Sequence, residues 1–279
     1  MRTALTKNLA TPFELLTQLI TVRDLCDPIQ GKYEISQPVA DVNEAWIEQC
    51  AESGQDPMDQ IALATENGRT VGWIGFDMLM SDKSIRECFE PLRPDAMLAA
   101  GTPVIEAVKA MSNDEPHFYF ILDENRISGW LGYAHLYKLP FRLCLLALLL
   151  GIEHLASDLI KREPDASLAV LSPERVAKLK PTYKNRGFRL NEQSEEYPSL
   201  LLDCTMFADK VKILKKLFVA EVPAARDKLF ETAEKLRNSL AHPRDEDEIV
   251  DAMSREKLVP FIAWAGTIHA ELENALRRR

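Results

Sequence analysis

The sequence lacks closely spaced cysteines, a secretion signal and a long apolar run. Its five cysteines, at positions 26, 50, 88, 144 and 204, are widely spaced and odd in number, with no pair two residues apart. This spacing argues against a disulfide framework and gives no support to a metal site. We therefore expect small core cysteines in a reducing compartment, the cytoplasm. The polar stretch after Met1 lacks the apolar segment of a signal peptide.

The most apolar stretch, residues 143–152, is too short to cross a membrane easily. It has about half of the roughly 20 apolar residues that a spanning helix needs, and Arg142 and Glu153 flank it. We expect a buried helix and no membrane partner. The 279 residues are enough for two ordinary domains, each with its own core.

Acidic residues are concentrated in the first half of the chain. Residues 1–140 have 11 lysines and arginines against 21 aspartates and glutamates, a net charge of −10. Residues 141–279 have 23 against 22, a net charge of +1, and the whole chain has −9. The first half is expected to repel nucleic acid, whereas the second half would tolerate it. This split predicts two parts with different partners.

An internal repeat occupies the first half. The sequence GWIGF from Gly72 and the sequence GWLGY from Gly129 match at an offset of 57 residues. A short apolar run precedes each copy, at residues 61–64 and 118–122, and reads as a buried strand. Asn67-Gly68 predicts a tight turn into a second strand. A helix is expected before each pair, the second with Thr102 as N-cap and Pro103 at its first position.

This order of helix, strand, turn, strand and further helix resembles the CBS repeat, which works as a tandem pair. The resemblance covers roughly residues 12–138, and it implies an α/β (α+β) regulatory domain over residues 1–139. CBS pairs commonly bind adenine nucleotides in the cleft between their repeats. An adenine nucleotide is therefore the regulatory ligand that the resemblance implies; no other cofactor is expected.

The chain departs from the CBS phosphate and ribose signature, a glycine followed by a hydroxyl residue at +3 and an aspartate at +6. Glycine takes the hydroxyl position in both copies, Asp77 falls one residue short of its position, and His135 replaces the second aspartate. Trp73 and Trp130 could stack on a base, although both also suit a core position. Trp73, Asp77, Trp130 and His135 are the candidate ligand-binding residues. The alternative is a pair that serves for dimerisation and scaffolding.

The second half, residues 140–279, reads as an all-α helical bundle. Helices are expected over residues 141–162, from Ser172-Pro173 to near 187, over 197–218, from Pro223 to 242, and from Ser254 to 276. The motif that suggests chemistry is RNSLAHP, in which Arg237 and His242 are five residues apart at a helix end. One turn takes 3.6 residues, so both side chains could face one cleft.

RNSLAHP in this context resembles the HEPN motif. HEPN domains are helical bundles, many of them metal-independent endoribonucleases that dimerise around two such motifs. A histidine can move protons near neutral pH, and an arginine can stabilise the growing charge on phosphate. The expected catalytic residues are Arg237, His242, Asn238 to orient the histidine or contact phosphate, and Glu153 as an acidic support. A cation near a helix C-terminus is also stabilising without any catalysis, and Glu153 equally suits an exposed stripe.

The main hypothesis is a homodimeric ribonuclease that acts on RNA and is gated by the CBS pair. The alternative is a noncatalytic nucleotide-sensing or scaffolding protein whose helical domain is an interaction module. A toxin-like or defence component silenced by a partner is the third. The lysines at 178, 180, 184, 210, 212, 215 and 216, with Arg186 and Arg189, could track an RNA backbone or form a solvated face.

Overall fold

The computed structural model describes residue 18 and residues 20–54, 56–79, 84–111, 118–185, 194–226, 228–241, 251 and 253–278. The chain separates into two compact units at Pro140 and Phe141. The first is a mixed α/β unit over Ile20–Pro140, and the second is helical.

The α/β unit contains eight short strands among its described residues. They are β1 (Asp27–Pro28), β2 (Lys32–Glu34), β3 (Ile61–Glu66), β4 (Arg69–Gly75), β5 (Glu90–Pro91), β6 (Met97–Ala99), β7 (Phe118–Asp123) and β8 (Arg126–Gly132). Its helices are α1 (Val39–Ser53), α2 (Ile85–Cys88) and α3 (Val104–Ala110), and 3-10 turns follow β4 and β8. The strands form two sheets, ordered β2-β3-β4-β5 and β1-β8-β7-β6.

The two sheets are copies of one arrangement. Strands β3 and β4 form an antiparallel hairpin, as do β7 and β8, and a parallel strand lies beside each, β2 and β6 respectively. The hairpin register shifts after Ala64 in the first copy and after Ile121 in the second. These positions differ by 57 residues, the offset of the sequence repeat. The structure therefore confirms the internal repeat.

The predicted turn at Asn67-Gly68 is also confirmed. Asn67 has a φ of 52° and Gly68 a φ of 74°, the left-handed conformations of a two-residue hairpin turn. In the second copy Glu124 has a φ of 55°. Asparagine and glycine adopt this region at little cost, which explains why the first turn was readable from sequence.

The repeated glycines at 72 and 129 allow an edge strand, β5 or β1, to pair closely with each hairpin. Gly72 pairs with Pro91 in β5, and Gly129 pairs with Pro28 in β1. A Cβ atom at Gly72 would lie 2.3 Å from the backbone oxygen of Glu90. The neighbouring backbone therefore leaves no room for a side chain on this face of β4.

Two hydrophobic clusters lie on opposite faces of strand β3 in the α/β unit. Helix α1 is amphipathic, with a buried stripe at spacings of three and four residues that consists of Val39, Val42, Trp46 and Cys50. Ala62 and Ala64 of β3 face this stripe, whereas Ile61 and Leu63 face a second cluster with Phe120 of the other copy. Strand β3 is thus buried on both faces, as its continuous apolar sequence indicates.

The helical unit contains seven helices in its described part. They are α4 (Leu139–Ile160), which begins at the junction, α5 (Pro164–Ala169), α6 (Pro173–Asn185), α7 (Tyr197–Leu202), α8 (Phe207–Leu217), α9 (Leu229–Ala241) and α10 (Arg255–Arg277). Helices α4 and α10 each bury nine residues. Arg162 donates hydrogen bonds to the Ala275 and Leu276 carbonyl oxygens at the end of α10. This contact satisfies carbonyls that have no partner within a helix.

Some predicted helix boundaries are wrong. Thr102 is not the N-cap of α3, because Pro103 holds that position. The single helix expected over residues 197–218 is two helices, since Thr205 turns its hydroxyl back to the Leu202 oxygen and Asp209 caps the new start at Met206. Ala225 lies in a 3-10 turn rather than in the helix expected from Pro223.

Helix α4 is long and apolar enough to cross a membrane by length and composition alone. Of its most apolar window, 44% is buried within the protein. Buried core helices pass the same test, so this helix by itself is weak evidence of a membrane span.

Candidate functional site

A cluster of three charged side chains lies in the helical unit, where α4, α8 and α9 approach one another. The Lys210 ammonium of α8 donates a 2.7 Å hydrogen bond to Oε1 of Glu153 in α4. Nη2 of Arg237 in α9 lies 3.6 Å from the other oxygen, Oε2. The structure thus brings together two of the predicted catalytic residues, Arg237 and Glu153, and adds Lys210.

The three side chains are buried to different degrees. Lys210 is 7% exposed and Glu153 is 15% exposed, whereas Arg237 is 32% exposed. A buried charge is costly unless it is paired, which explains the short Lys210–Glu153 contact. Arg237 is the member of the cluster that solvent reaches most easily.

Within the described part of the chain, the hydrogen bond seen for the Arg237 side chain is a long one. Its Nη1 donates to Oδ1 of the exposed Asn238 at 3.3 Å. Its buried Nε has no hydrogen-bond partner among the described residues. The guanidinium therefore keeps donors that could bind oxygen atoms of another molecule.

Lys210 is buried and therefore belongs neither to a solvated face nor to a basic surface that could track RNA, the two alternatives that the sequence left open. The buried residues of α8 are Phe207, Lys210, Ile213 and Leu214, so the lysine stands on the apolar stripe. Its position three residues after Phe207 and four before Leu214 was the signal that could have identified it. Lys212, Lys215 and Lys216 of the same helix are exposed, as expected.

His242 of the predicted motif lies outside the described residues, as do Arg186 and Arg189 of the basic stretches. Helix α9 is described up to Ala241, one residue before the histidine. The spacing between the Arg237 and His242 side chains remains a prediction.

The predicted ligand-binding residues of the α/β unit lie beside two equivalent glycines, Gly75 and Gly132, but Asp77 and His135 are not counterparts, because the position of His135 is held by Met78 in the first copy. The exposed Asp77 turns its carboxylate over Gly75, where a Cβ atom would be 2.6 Å from its Oδ1 and 3.6 Å from the Trp73 ring. In the second copy, the corresponding distances from a Cβ atom at Gly132 are 3.2 Å to the Trp130 ring and 3.7 Å to His135 Nδ1.

The two tryptophans contact one phenylalanine. Trp73 meets Phe118 edge to face with ring centroids 4.8 Å apart, and Trp130 meets it at 6.0 Å. These contacts belong to the cluster in which side chains of the two repeats pack together. They account for partial burial of both rings without a ligand. Nε1 of Trp130 is buried and has no hydrogen-bond partner in the described part of the chain.

His135 is a buried histidine in a charged setting. The Gly132 amide donates to its Nδ1 at 3.0 Å, and its Nε2 lies 3.1 Å from Oδ2 of Asp27. The Lys138 ammonium contacts the other Asp27 oxygen and the Leu25 carbonyl oxygen. Burial, aided by the charge of Lys138, lowers the pKa of His135 below its ordinary value of 6.5, although Asp27 acts in the opposite direction. The neutral imidazole is thereby favoured.

In the described residues, no group of three or more histidine, cysteine, aspartate or glutamate side chains is arranged to hold a metal ion.

Comparisons with known proteins find low similarity only. No family model and no curated protein matches the chain. A solved CBS domain-containing protein from Thermotoga maritima is similar to it, with 18% identity and a TM-score of 0.30 over 42% of this chain and 91% of that one. The CBS domain of a bacterial CNNM/CorC family Mg2+ transporter has 12% identity and a TM-score of 0.34, covering 47% and 85% respectively. Protein MJ1004 from Methanocaldococcus jannaschii has 18% identity and a TM-score of 0.32, covering 51% and 77% respectively.

Proposed function

We propose that the protein is a regulatory protein in which a CBS-type repeat pair senses a small ligand and the helical unit is an interaction module. The observation that carries this proposal is the duplicated hairpin end, in which Trp73 and Gly75 of the first copy match Trp130 and Gly132 of the second. Each copy sets its tryptophan beside the glycine at the end of its hairpin, and the exposed Asp77 carboxylate adds a polar group in the first copy. A duplicated arrangement of this kind suits recognition of a ligand by both copies.

The proposed ligand is an adenine nucleotide with few phosphates. The tryptophan rings are partly exposed and can stack on a base, and the exposed Asp77 carboxylate can accept hydrogen bonds from ribose hydroxyls. Glycines stand where the CBS signature has phosphate-binding hydroxyls, and residues 1–140 carry a net charge of −10. Adenosine or AMP is therefore expected to bind more tightly than ATP.

Calorimetric titration of the full chain with adenosine, AMP, ATP and GMP tests this proposal. We expect binding of AMP and a weaker affinity for ATP. Asp77→Asn should weaken AMP binding about tenfold, the effect of about 1.4 kcal/mol, whereas the exposed control Asp59→Asn should leave it unchanged. Absence of binding by every nucleotide would exclude adenine-nucleotide sensing.

A metal-independent endoribonuclease is the second candidate. Its specific support is the proximity of Glu153 and Arg237, which agrees with an acidic residue beside the HEPN-like motif. The test is cleavage of a labelled structured RNA in EDTA by the wild type and by His242→Ala. Wild-type products with 2′,3′-cyclic phosphate ends, absent with the variant, would support it. Equal cleavage by both proteins would exclude a role for His242.

We propose a homodimer as the assembly, because CBS pairs and HEPN domains both favour two-fold pairing and one self-complementary patch is sufficient for it. Light scattering at micromolar concentration should give twice the mass of the 31.6 kDa chain. A monomer mass would exclude a composite catalytic cleft made by two copies.

A further inference from the structure

Two cations share one carboxylate in the helical unit. Lys210 and Arg237 both approach Glu153, so the three side chains together carry a net charge of +1. The contact of Lys210 is the shorter, 2.7 Å against 3.6 Å. Coulomb attraction weakens with distance and with solvent exposure, so Glu153 compensates Lys210 first. Arg237 is left with positive charge that the cluster does not neutralise.

The shape and exposure of Arg237 suit an oxyanion. A planar guanidinium binds two oxygens of a phosphate side by side. Its Nε is buried and has no hydrogen-bond partner among the described residues, and an unpaired buried donor costs about 1–3 kcal/mol. Nearby, the exposed Asn238 uses its Oδ1 to accept from Arg237 and keeps its amide hydrogens as further donors.

We propose that Lys210 is a positioning residue which, by neutralising Glu153, leaves Arg237 free to bind a phosphate group. The inference rests on the oxyanion-binding role of Arg237 in the second candidate function, but it does not require RNA cleavage. Lys210 does not reach the phosphate, because its nearly buried ammonium faces Glu153. Without Lys210, Glu153 pairs with Arg237 and the net charge of the cluster falls to zero.

The test is titration of the full chain with inorganic phosphate at constant ionic strength, followed by calorimetry. We expect Lys210→Met to weaken phosphate binding about tenfold. The double variant Glu153→Gln with Lys210→Met removes both buried charges and restores the net charge of +1 on Arg237. We expect it to bind phosphate within about threefold of the wild type, a rescue that a purely structural role of Lys210 does not predict.

Lys235→Met is the matched control, because Lys235 is an exposed lysine on α9, the helix of Arg237, and its removal changes the total charge equally. We expect wild-type affinity. Parallel titrations with AMP and with a short RNA lacking terminal phosphates distinguish a phosphate monoester from a backbone phosphodiester. For the ligand that binds, we expect the same ranking of variant affinities as for inorganic phosphate.

The outcomes separate the two ideas. If Arg237→Gln does not weaken the binding of phosphate, AMP or RNA, or if none of them binds, the oxyanion role of Arg237 is overturned and the inference with it. Wild-type binding that Lys210→Met leaves unchanged would overturn the inference alone. If Lys210→Met does not fold, the double variant still decides, since its loss of phosphate binding would contradict the proposed role.

Discussion

The backbone oxygen of Asp27 lies so close to Gly129 that a Cβ atom added at Gly129 would be only 2.5 Å from it. Strand β1 therefore pairs with β8 only because position 129 has no side chain. We predict that Gly129→Ala destabilises the α/β unit by about 1–3 kcal/mol, the usual cost of overpacking, as measured by urea unfolding.

The control for this prediction is Gly101→Ala in the same repeat. A Cβ atom at Gly101 would meet nothing within 4 Å, so this change should alter the unfolding free energy by less than about 0.5 kcal/mol. Equal effects of the two substitutions would contradict the close-approach explanation.

The buried His135 predicts a pH dependence of stability. Its folded-state pKa is lowered, chiefly by burial and then by Lys138, and Asp27 opposes the shift. The unfolded chain therefore takes up a proton more readily below about pH 6.5. The contribution of His135 to the unfolding free energy should therefore be constant above about pH 6.5. Below that pH it should fall as the pH drops, by at most about 1.4 kcal/mol per pH unit.

Comparison of urea unfolding between pH 5 and pH 8 for the wild type and His135→Gln isolates this contribution. The variant should lose part of the slope below pH 6.5. His154→Gln is the control, because His154 is 76% exposed and its replacement should preserve the wild-type slope. Identical slopes in all three proteins would show that His135 does not titrate differently on unfolding.

Arg162 predicts a measurable contribution to the stability of the helical unit. Its guanidinium donates to two carbonyl oxygens at the C-terminal end of α10. We expect Arg162→Met to lower the unfolding free energy by about 1.5–3 kcal/mol, the range for hydrogen bonds to charged groups. Arg277→Met removes an ion pair between the exposed Arg277 and the half-buried Glu273 and should cost about 0–1 kcal/mol.

Helix α4 offers a matched pair that distinguishes its buried and exposed faces. Leu148 is 2% exposed and Leu143 is 53% exposed. In urea unfolding, Leu148→Ala should cost about 2–5 kcal/mol, and Leu143→Ala less than about 0.5 kcal/mol. Similar losses would contradict the packing of this helix in a protein core.

The hairpins of the α/β unit were predictable because their signals are local. Asn67-Gly68 fixes the turn, and the flanking apolar runs fix the strands on either side of it. The repeated Gly72 and Gly129 were visible in the sequence, but their purpose was not. It depends on β5 and β1, two-residue strands whose own sequences carry too little periodicity to be recognised.

In the helical unit, the sequence indicated the helices and singled out Glu153 and Arg237, which lie close together, but it did not indicate the pairing of Lys210. Lys210 stands close to Lys212, Lys215 and Lys216 in the sequence, and such a lysine-rich stretch predicts an exposed surface. Its place on the buried stripe of α8 follows only from the phase of that helix, which Met206 and Asp209 set by starting a new helix at Phe207. A single helix over residues 197–218 would place Lys210 on a different face, so that expectation could not identify it as buried.

The prolines at the sheet edges have a consequence for aggregation. Strands β1 and β5 are outermost in their sheets, and each ends in a proline, Pro28 or Pro91. Proline has no N–H group to offer to an incoming strand. These two edges are therefore poor templates for strand addition from another molecule, which limits edge-to-edge association through β1 and β5 during folding and at high concentration.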